Sequence, residues 1–287
     1  MSIIRFSLLV GILSLSGCAG APLRESPPAG MSVESFLSDP VLHQRVQDLD
    51  ATHLSTQDVS EVLSKCPAPR LLAFNGSAFD TMSPFGAFLH RMGYPRVEVR
   101  SSYDNAAKVA QAVETTFQAE HLRPMLIGHS QGGAFVVKVL HALKGRSVSF
   151  SSAIATGKWM RVLLGQWDML PILRKIPATT KEFAGYRLAG DLIGSDAPLF
   201  KESGDYEAVG DVEVRNSRLE GPSHLDITRL EDYAEDPGTR AWIDAWTPST
   251  PAPSDARLLF AADIWYHVKK HWCLELQGLV DGSKNHL

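Results

Sequence analysis

Ser130 stands in Ile127-Gly128-His129-Ser130-Gln131-Gly132-Gly133, a stretch of the G-x-S-x-G form. That form lifts a serine onto a sharp strand-to-helix turn with its hydroxyl exposed, and the flanking glycines leave room where strand and helix nearly touch. The surroundings agree. Met125-Leu126-Ile127 enters as a short buried strand would, and Ala134 to Leu143 leaves as a helix without breakers. The chemistry on offer is nucleophilic attack on an acyl carbon; the alternative is a chance glycine turn, because so short a pattern recurs in unrelated chains. A hydroxyl is a weak nucleophile at neutral pH. It needs an imidazole within hydrogen-bond reach, and that imidazole needs a carboxylate to fix its tautomer.

Gly128-His129-Ser130-Gln131-Gly132-Gly133 is similar to the lipase signature G-H-S-x-G-G. Phe74-Asn75-Gly76-Ser77 resembles the F-R-G-T/S oxyanion loop of class 3 lipases, with Asn75 in place of the arginine. On these motifs the chain, over roughly residues 69 to 230, resembles an α/β-hydrolase of the lipase and esterase kind. The resemblance implies a mostly parallel central sheet with helices on both faces, and a triad in the chain order Ser, then Asp or Glu, then His. The base is then sought among His141, His224, His267, His271 and His286.

His224 is favoured, because Glu220-Gly221-Pro222-Ser223-His224-Leu225-Asp226 is a turn-rich loop of the kind that carries catalytic groups; a structural loop histidine is the alternative. His141 falls within the helix after the elbow, pointing away from the turn, and His286 lies at a terminus prone to fray. His267 and His271 are spaced i, i+4 on the last helix without the acid of H-E-x-x-H, which predicts a solvated helix face rather than a metal pair. For the acid, Asp191 closes the strand-like Leu188-Ala189-Gly190, at the end where open α/β sheets collect functional groups. Asp196 and then Asp168 stand behind it, and the bland alternative is a turn aspartate bonded to its own backbone. The backbone N–H of Gln131 and the Asn75-Gly76-Ser77 loop, with Ser77 adding its hydroxyl, are the expected oxyanion donors; a simple turn after a strand is the alternative for the loop.

The implied function is hydrolysis of carboxylic esters through an acyl-enzyme on Ser130, with ester or lipid as substrate and no metal or organic cofactor. The same triad would serve a thioesterase, an amidase or an acyltransferase. A reading from another class is a membrane-tethered binding protein of hydrolase shape without turnover.

The bulk composition fits such an enzyme. The chain has 287 residues, 44% hydrophobic and 21% charged, within the range of one large globular α/β domain. Lys plus Arg number 28 against 32 Asp plus Glu, a net charge of −4, which gives no electrostatic reason to expect nucleic acid as a partner. Nothing in the sequence speaks to oligomeric state.

The first residues read as an address. Arg5 gives a positive start, Phe6 to Leu15 a short apolar stretch too interrupted for a spanning helix, and Leu15-Ser16-Gly17-Cys18 resembles a bacterial lipobox. That resemblance implies a signal peptide over 1–17, a lipid on Cys18 and a protein held at a membrane surface, with Ala19 pointing to the outer membrane of a bacterial envelope. An ordinary signal peptide with a coincidental cysteine is the alternative. Residues 18–30, rich in proline and glycine, read as a tether, and 31–287 as a single domain. Cys66 and Cys273 remain in what would be an oxidising compartment, where a disulfide between them is an open question.

The elements that must position the chemistry alternate between strand and helix. Val33 to Leu63 reads as two short helices, Leu71 to Phe74 as a strand, Phe85 to Met92 as a helix stopped by Gly93, and Arg96 to Arg100 as a strand. Ala106 to His121 is an amphipathic helix ahead of the elbow strand. Strands follow at Val148 to Ala155, Tyr186 to Gly190 and Val209 to Val214, with a last helix over Ala256 to Leu276. The apolar 158–176 segment is read as a lid or cap lining an acyl pocket or, equally, as a plain core helix in a crossover.

Overall fold

The computed structural model describes residues 65–76, 80–191, 193–194 and 204–284, with positions 35, 39 and 41 ahead of them and side chains as far as Trp272. The signal segment, Cys18, the tether, most of the two N-terminal helices, Ser77, Asp196 and His286 lie outside the described residues.

Along the chain run β1 (Leu71–Phe74), α1 (Ser83–Arg91), β2 (Val97–Arg100), α2 (Ala106–Glu120), β3 (Met125–Ser130), α3 (Gln131–Ala142) and β4 (Val148–Ala155). Next come α4 (Lys158–Leu163), a 3-10 turn over Trp167–Met169, β5 (Lys175–Pro177), β6 (Thr180–Leu188), β7 (Glu207–Val209) and β8 (Glu213–Leu219). Helices α5 (Glu231–Glu235), α6 (Pro237–Ala245) and α7 (Ala256–Lys284) close the chain.

Six strands form one sheet in the order β2-β1-β3-β4-β6-β8, every pair parallel, while β5 and β7 make a two-stranded parallel ribbon. Parallel strands need crossovers, and the crossovers put helices on both faces, which is why β1, β3 and β4 are buried almost throughout and carry no Asp, Glu, Lys or Arg. Side chains alternate across β1: Leu71 and Ala73 join one core with Phe85, Phe260 and Trp265, whereas Leu72 and Phe74 join the other with Val109 and Val136. The first core thus lies under α1, α5, α6 and α7, and the second under α2 and α3.

Strand β1 pairs with both β2 and β3. The chain steps outward from β1 to β2 and then returns to the other side of β1, so the direction of winding reverses between β1 and β3. In a parallel sheet this reversal opens a crevice at the carboxyl ends of the two strands. Ser130 ends β3 and Asn75-Gly76 follows β1, so both stand at that crevice.

Several elements differ from the sequence reading. β6 begins at Thr180, well ahead of Tyr186: it pairs with β4 from Thr180 and with β8 from Glu182, and the polar Thr180 and Glu182, both buried, hide this part of the strand in the sequence. The expected strand over 209–214 is two strands, β7 and β8, split by a turn at Gly210 with φ +92°. The 158–176 segment divides: Met169, Leu173 and Ile176 are core residues, while Leu163, Leu164 and Trp167 are 65%, 49% and 61% exposed. Cys66 is disulfide-bonded, and the indole N–H of Trp272, beside Cys273 in the chain, donates to the Cys66 carbonyl at 3.1 Å.

Candidate active site

The turn after β3 is sharp enough to force Ser130 to φ 58° and ψ −119°. Only His121 and Ser130 have positive φ among the described non-glycine residues, and such a conformation costs on the order of 1–3 kcal/mol that the surrounding packing must hold. Glycines make that packing possible. A Cβ on Gly128 would lie 2.2 Å from the Gly132 oxygen, and one on Gly132 would lie 2.0 Å from the Phe74 oxygen. Gly133 meets β4 as closely, 2.9 Å from the Ala155 backbone. Strand, helix and neighbouring strand therefore touch backbone to backbone, and Ser130 is left at the crest.

The loop after β1 leans on the same residue. A Cβ on Gly76 would be 3.2 Å from Ser130 Cβ and 3.7 Å from its Oγ. The Gly76 N–H donates to Thr81 Oγ1 at 3.2 Å, and Asn75 Oδ1 accepts from the Met82 N–H at 2.8 Å, which fixes the loop onto the start of α1. Asn75, at the position of the expected family arginine, thus has a local structural use. Gln131 opens α3, where backbone N–H groups have no partner within the helix and carry the positive end of its dipole.

Asp191 follows β6, and His224 sits in the loop after β8. His224 Nδ1 lies 2.6 Å from Asp191 Oδ2, with the two side chains only 4% and 7% exposed. Asp191 also accepts from the Ile193 N–H at 2.9 Å and the Gly194 N–H at 3.1 Å. Burial alone would raise its pKa, but the bond to His224, the histidine's charge and the two backbone donors hold the carboxyl below its ordinary 3.8. An ionised Asp191 accepts a hydrogen bond from Nδ1–H of His224, which holds the tautomer whose unprotonated nitrogen is Nε2. That Nε2 is buried and has no hydrogen-bond partner among the described residues.

What sets His224 beside the elbow is His129, whose role the sequence reading missed. Its Nε2 lies 2.6 Å from the main-chain oxygen of His224, and the two rings stand 4.6 Å apart, centroid to centroid, at 40°. Burial first, and the neighbouring His224 second, push His129 down to about 3, so it is neutral and donates from Nε2. The only sequence clue was its place immediately before the serine.

The remaining candidates are elsewhere. Asp168 is exposed and pairs with Lys138 at 2.8 Å, and the His141 ring reaches the Lys175 carbonyl at 2.7 Å on the outer side of α3. The expectation of a solvated face for His267 and His271 is corrected: they are 0% and 4% exposed. Both rings stack on Phe150, at 5.0 and 5.5 Å, and face Glu182, at 3.0 and 2.9 Å. Helix α7 is covered on this side by the sheet, and a buried carboxylate on β6 accounts for the buried imidazoles. No group of three or more His, Cys, Asp or Glu among the described residues is arranged to hold a metal.

No protein-family model and no curated protein matches the chain. Among solved structures it is similar to lipase B of Aspergillus fumigatus, at 14% identity over 73% of this chain and 62% of that one, with a TM-score of 0.43. It is also similar to the esterase domain of a Rhodothermus marinus protein, at 16% identity over 62% and 83% of the two chains, with a TM-score of 0.35. An S-formylglutathione hydrolase from Agrobacterium tumefaciens aligns at 12% identity over 72% and 85%, with a TM-score of 0.37. The fold is read from the chain's own architecture. A parallel sheet flanked by helices on both faces, with a strained serine turn after a central strand at the reversal of winding, is the α/β-hydrolase fold.

Proposed function

We propose that the protein is a serine hydrolase of carboxylic esters, with Ser130 as nucleophile, His224 as general base and Asp191 as the acid that orients it. The observation that carries this reading is the buried 2.6 Å contact of His224 Nδ1 with Asp191, which leaves Nε2 basic while the ring rests on His129, next to Ser130. In the first half-reaction Ser130 Oγ attacks the ester carbonyl, its proton passes to His224 Nε2, and the alcohol departs with that proton. In the second, water attacks the acyl-enzyme, gives its proton to the same nitrogen, and releases acid and free Ser130. The Gln131 N–H and Ser77 are the proposed oxyanion donors.

The exposed Leu163, Leu164 and Trp167 lie on the segment that follows β4 at the carboxyl edge of the sheet, and they support a preference for long acyl chains over short ones. The lipobox-like Leu15-Ser16-Gly17-Cys18 supports attachment to a membrane through Cys18, in keeping with a lipid-facing ester substrate.

Hydrolysis of p-nitrophenyl esters by the wild type and by Ser130→Ala tests the reading. Turnover lost in the variant, with folding intact, is the expected result; wild-type turnover retained in Ser130→Ala would reject it.

A further inference from the structure

Arg161, on α4 just past the carboxyl end of β4, is 0% exposed. Its Nη1 donates to the side-chain oxygens of Gln131 and Gln166, and its Nη2 donates to Thr156 Oγ1. All three acceptors are neutral, and no carboxylate pairs with Arg161 among the described residues. Several other arginines have carboxylates: Arg96 has Glu120 at 2.9 Å and Arg187 has Asp205 at 2.7 Å. A guanidinium buried without an anion costs more than one that is paired.

Two of its acceptors flank the candidate nucleophile. Gln131 follows Ser130 in the chain, and the Thr156 N–H donates to the Ser130 carbonyl at 3.2 Å. Burial draws Arg161 down from 12.5 to about 10, with only Tyr103 acting in the opposite sense, so the group remains a cation at neutral pH.

We propose that Arg161 is a positioning residue for the oxyanion: it fixes Gln131 and lends a buried positive charge to the side of Ser130 where negative charge develops. The inference rests on the serine-hydrolase reading. As Oγ bonds to the carbonyl carbon, the carbonyl π pair moves onto oxygen and the serine proton moves to His224. The ester is neutral before this step and its oxygen is anionic after it, so a fixed cation stabilises the intermediate without strengthening substrate binding. No solvent covers Arg161 to screen it, so its field acts across a low-dielectric interior.

The test compares Arg161→Met with Arg161→Lys, which keeps the charge but not the fork. Two quantities are measured: the rate of covalent labelling by a fluorophosphonate, and kcat and KM on p-nitrophenyl butyrate. Arg161→Met is expected to lower labelling rate and kcat by about 30- to 100-fold, somewhat less than loss of a direct oxyanion donor, with KM within about threefold. Arg161→Lys is expected to stay within about tenfold of wild type. Should the methionine variant not fold, Arg161→Gln takes its place in the same comparison. Labelling by a folded methionine or glutamine variant within about threefold of wild type would overturn the inference, as would a loss residing in KM, or equal losses in the lysine and neutral variants. A wild type that is not labelled at Ser130 at all would instead remove the underlying reading, and the inference with it.

Discussion

His129 supports His224 from below: its ring nitrogen bonds the main-chain oxygen of His224 at 2.6 Å while the two rings pack 4.6 Å apart. Because His129 is the residue before Ser130, β3 fixes in one stroke the position of the serine and of the loop that carries His224, the proposed base. Replacing His129 by Phe keeps a ring to pack against and removes the donor. The His224 loop should then wander, and kcat should fall by about tenfold with KM little changed. Steady-state kinetics on a short ester check this, with a melting curve to show that the fold is intact.

The Asp191 contact makes a separable prediction. Asp191→Asn keeps the shape but offers an amide where His224 Nδ1 needs an acceptor, and the wrong tautomer is then favoured. A loss of about 10³- to 10⁴-fold in kcat is expected, as for triad acids in general. The depressed Asp191 pKa sets the sign of a pH effect. A carboxylate held below its ordinary 3.8 stabilises the folded state above that value, and this contribution fades as pH falls through the lower folded-state pKa. Acid titration followed by circular dichroism should show a smaller acid sensitivity in Asp191→Asn than in wild type.

Glycine geometry predicts a contrast in stability. A methyl on Gly132 would stand 2.0 Å from the Phe74 oxygen, whereas nothing lies within 4 Å of one on Gly145. Gly132→Ala should cost about 2–3 kcal/mol or more, because the obstacle is backbone that cannot turn aside. Gly145→Ala should be neutral to within about 0.5 kcal/mol. Urea denaturation of the two variants measures both.

The Glu182 cluster predicts a second pH dependence, unrelated to the active site. Burial alone would lower His267, but the carboxylates of Asp263 and Glu182 outweigh it and raise the imidazole above its ordinary 6.5. Burial would likewise raise Glu182, yet His267, His271 and Lys270 hold it far below its ordinary 4.5. Arg215 adds a further cation 3.6 Å away. A raised histidine stabilises the fold fully below 6.5, and this part is lost as pH rises through its folded-state value. A depressed carboxylate stabilises above 4.5, and that part is lost as pH falls. Both contributions coexist between about pH 4.5 and 6.5, so the melting temperature should decline on the alkaline side of that window. Glu182→Gln should remove much of the decline and cost about 3 kcal/mol, by leaving buried imidazoles without their anion. Melting curves from pH 5 to 9 on both proteins decide it.

Legibility in the sequence followed the range of the interactions. The elbow could be read because glycine spacing, an apolar strand and a breaker-free helix are all local to Ser130. β1, β3, β4 and α2 could be read for the same reason, with Asn105 capping α2 by accepting from Ala107 N–H and Lys108 N–H. The contact of Asp191 with His224 spans 33 positions, and the family chain order narrowed that search where periodicity could not. His129 was passed over because its partner is a backbone oxygen 95 positions away, which leaves no mark on side-chain patterns. His267 and His271 were misread as solvated because i, i+4 imidazoles look alike on wet and dry faces; the difference lies in Phe150 and Glu182, on two other elements.

The most direct test of the central claim is mass-spectrometric mapping of the fluorophosphonate adduct on the wild type and on His224→Ala. The account predicts a single adduct on Ser130 in the wild type, formed at least 100-fold more slowly once the imidazole is gone, as removal of a triad member requires. An adduct on another residue, or labelling of Ser130 at the wild-type rate without His224, would contradict it.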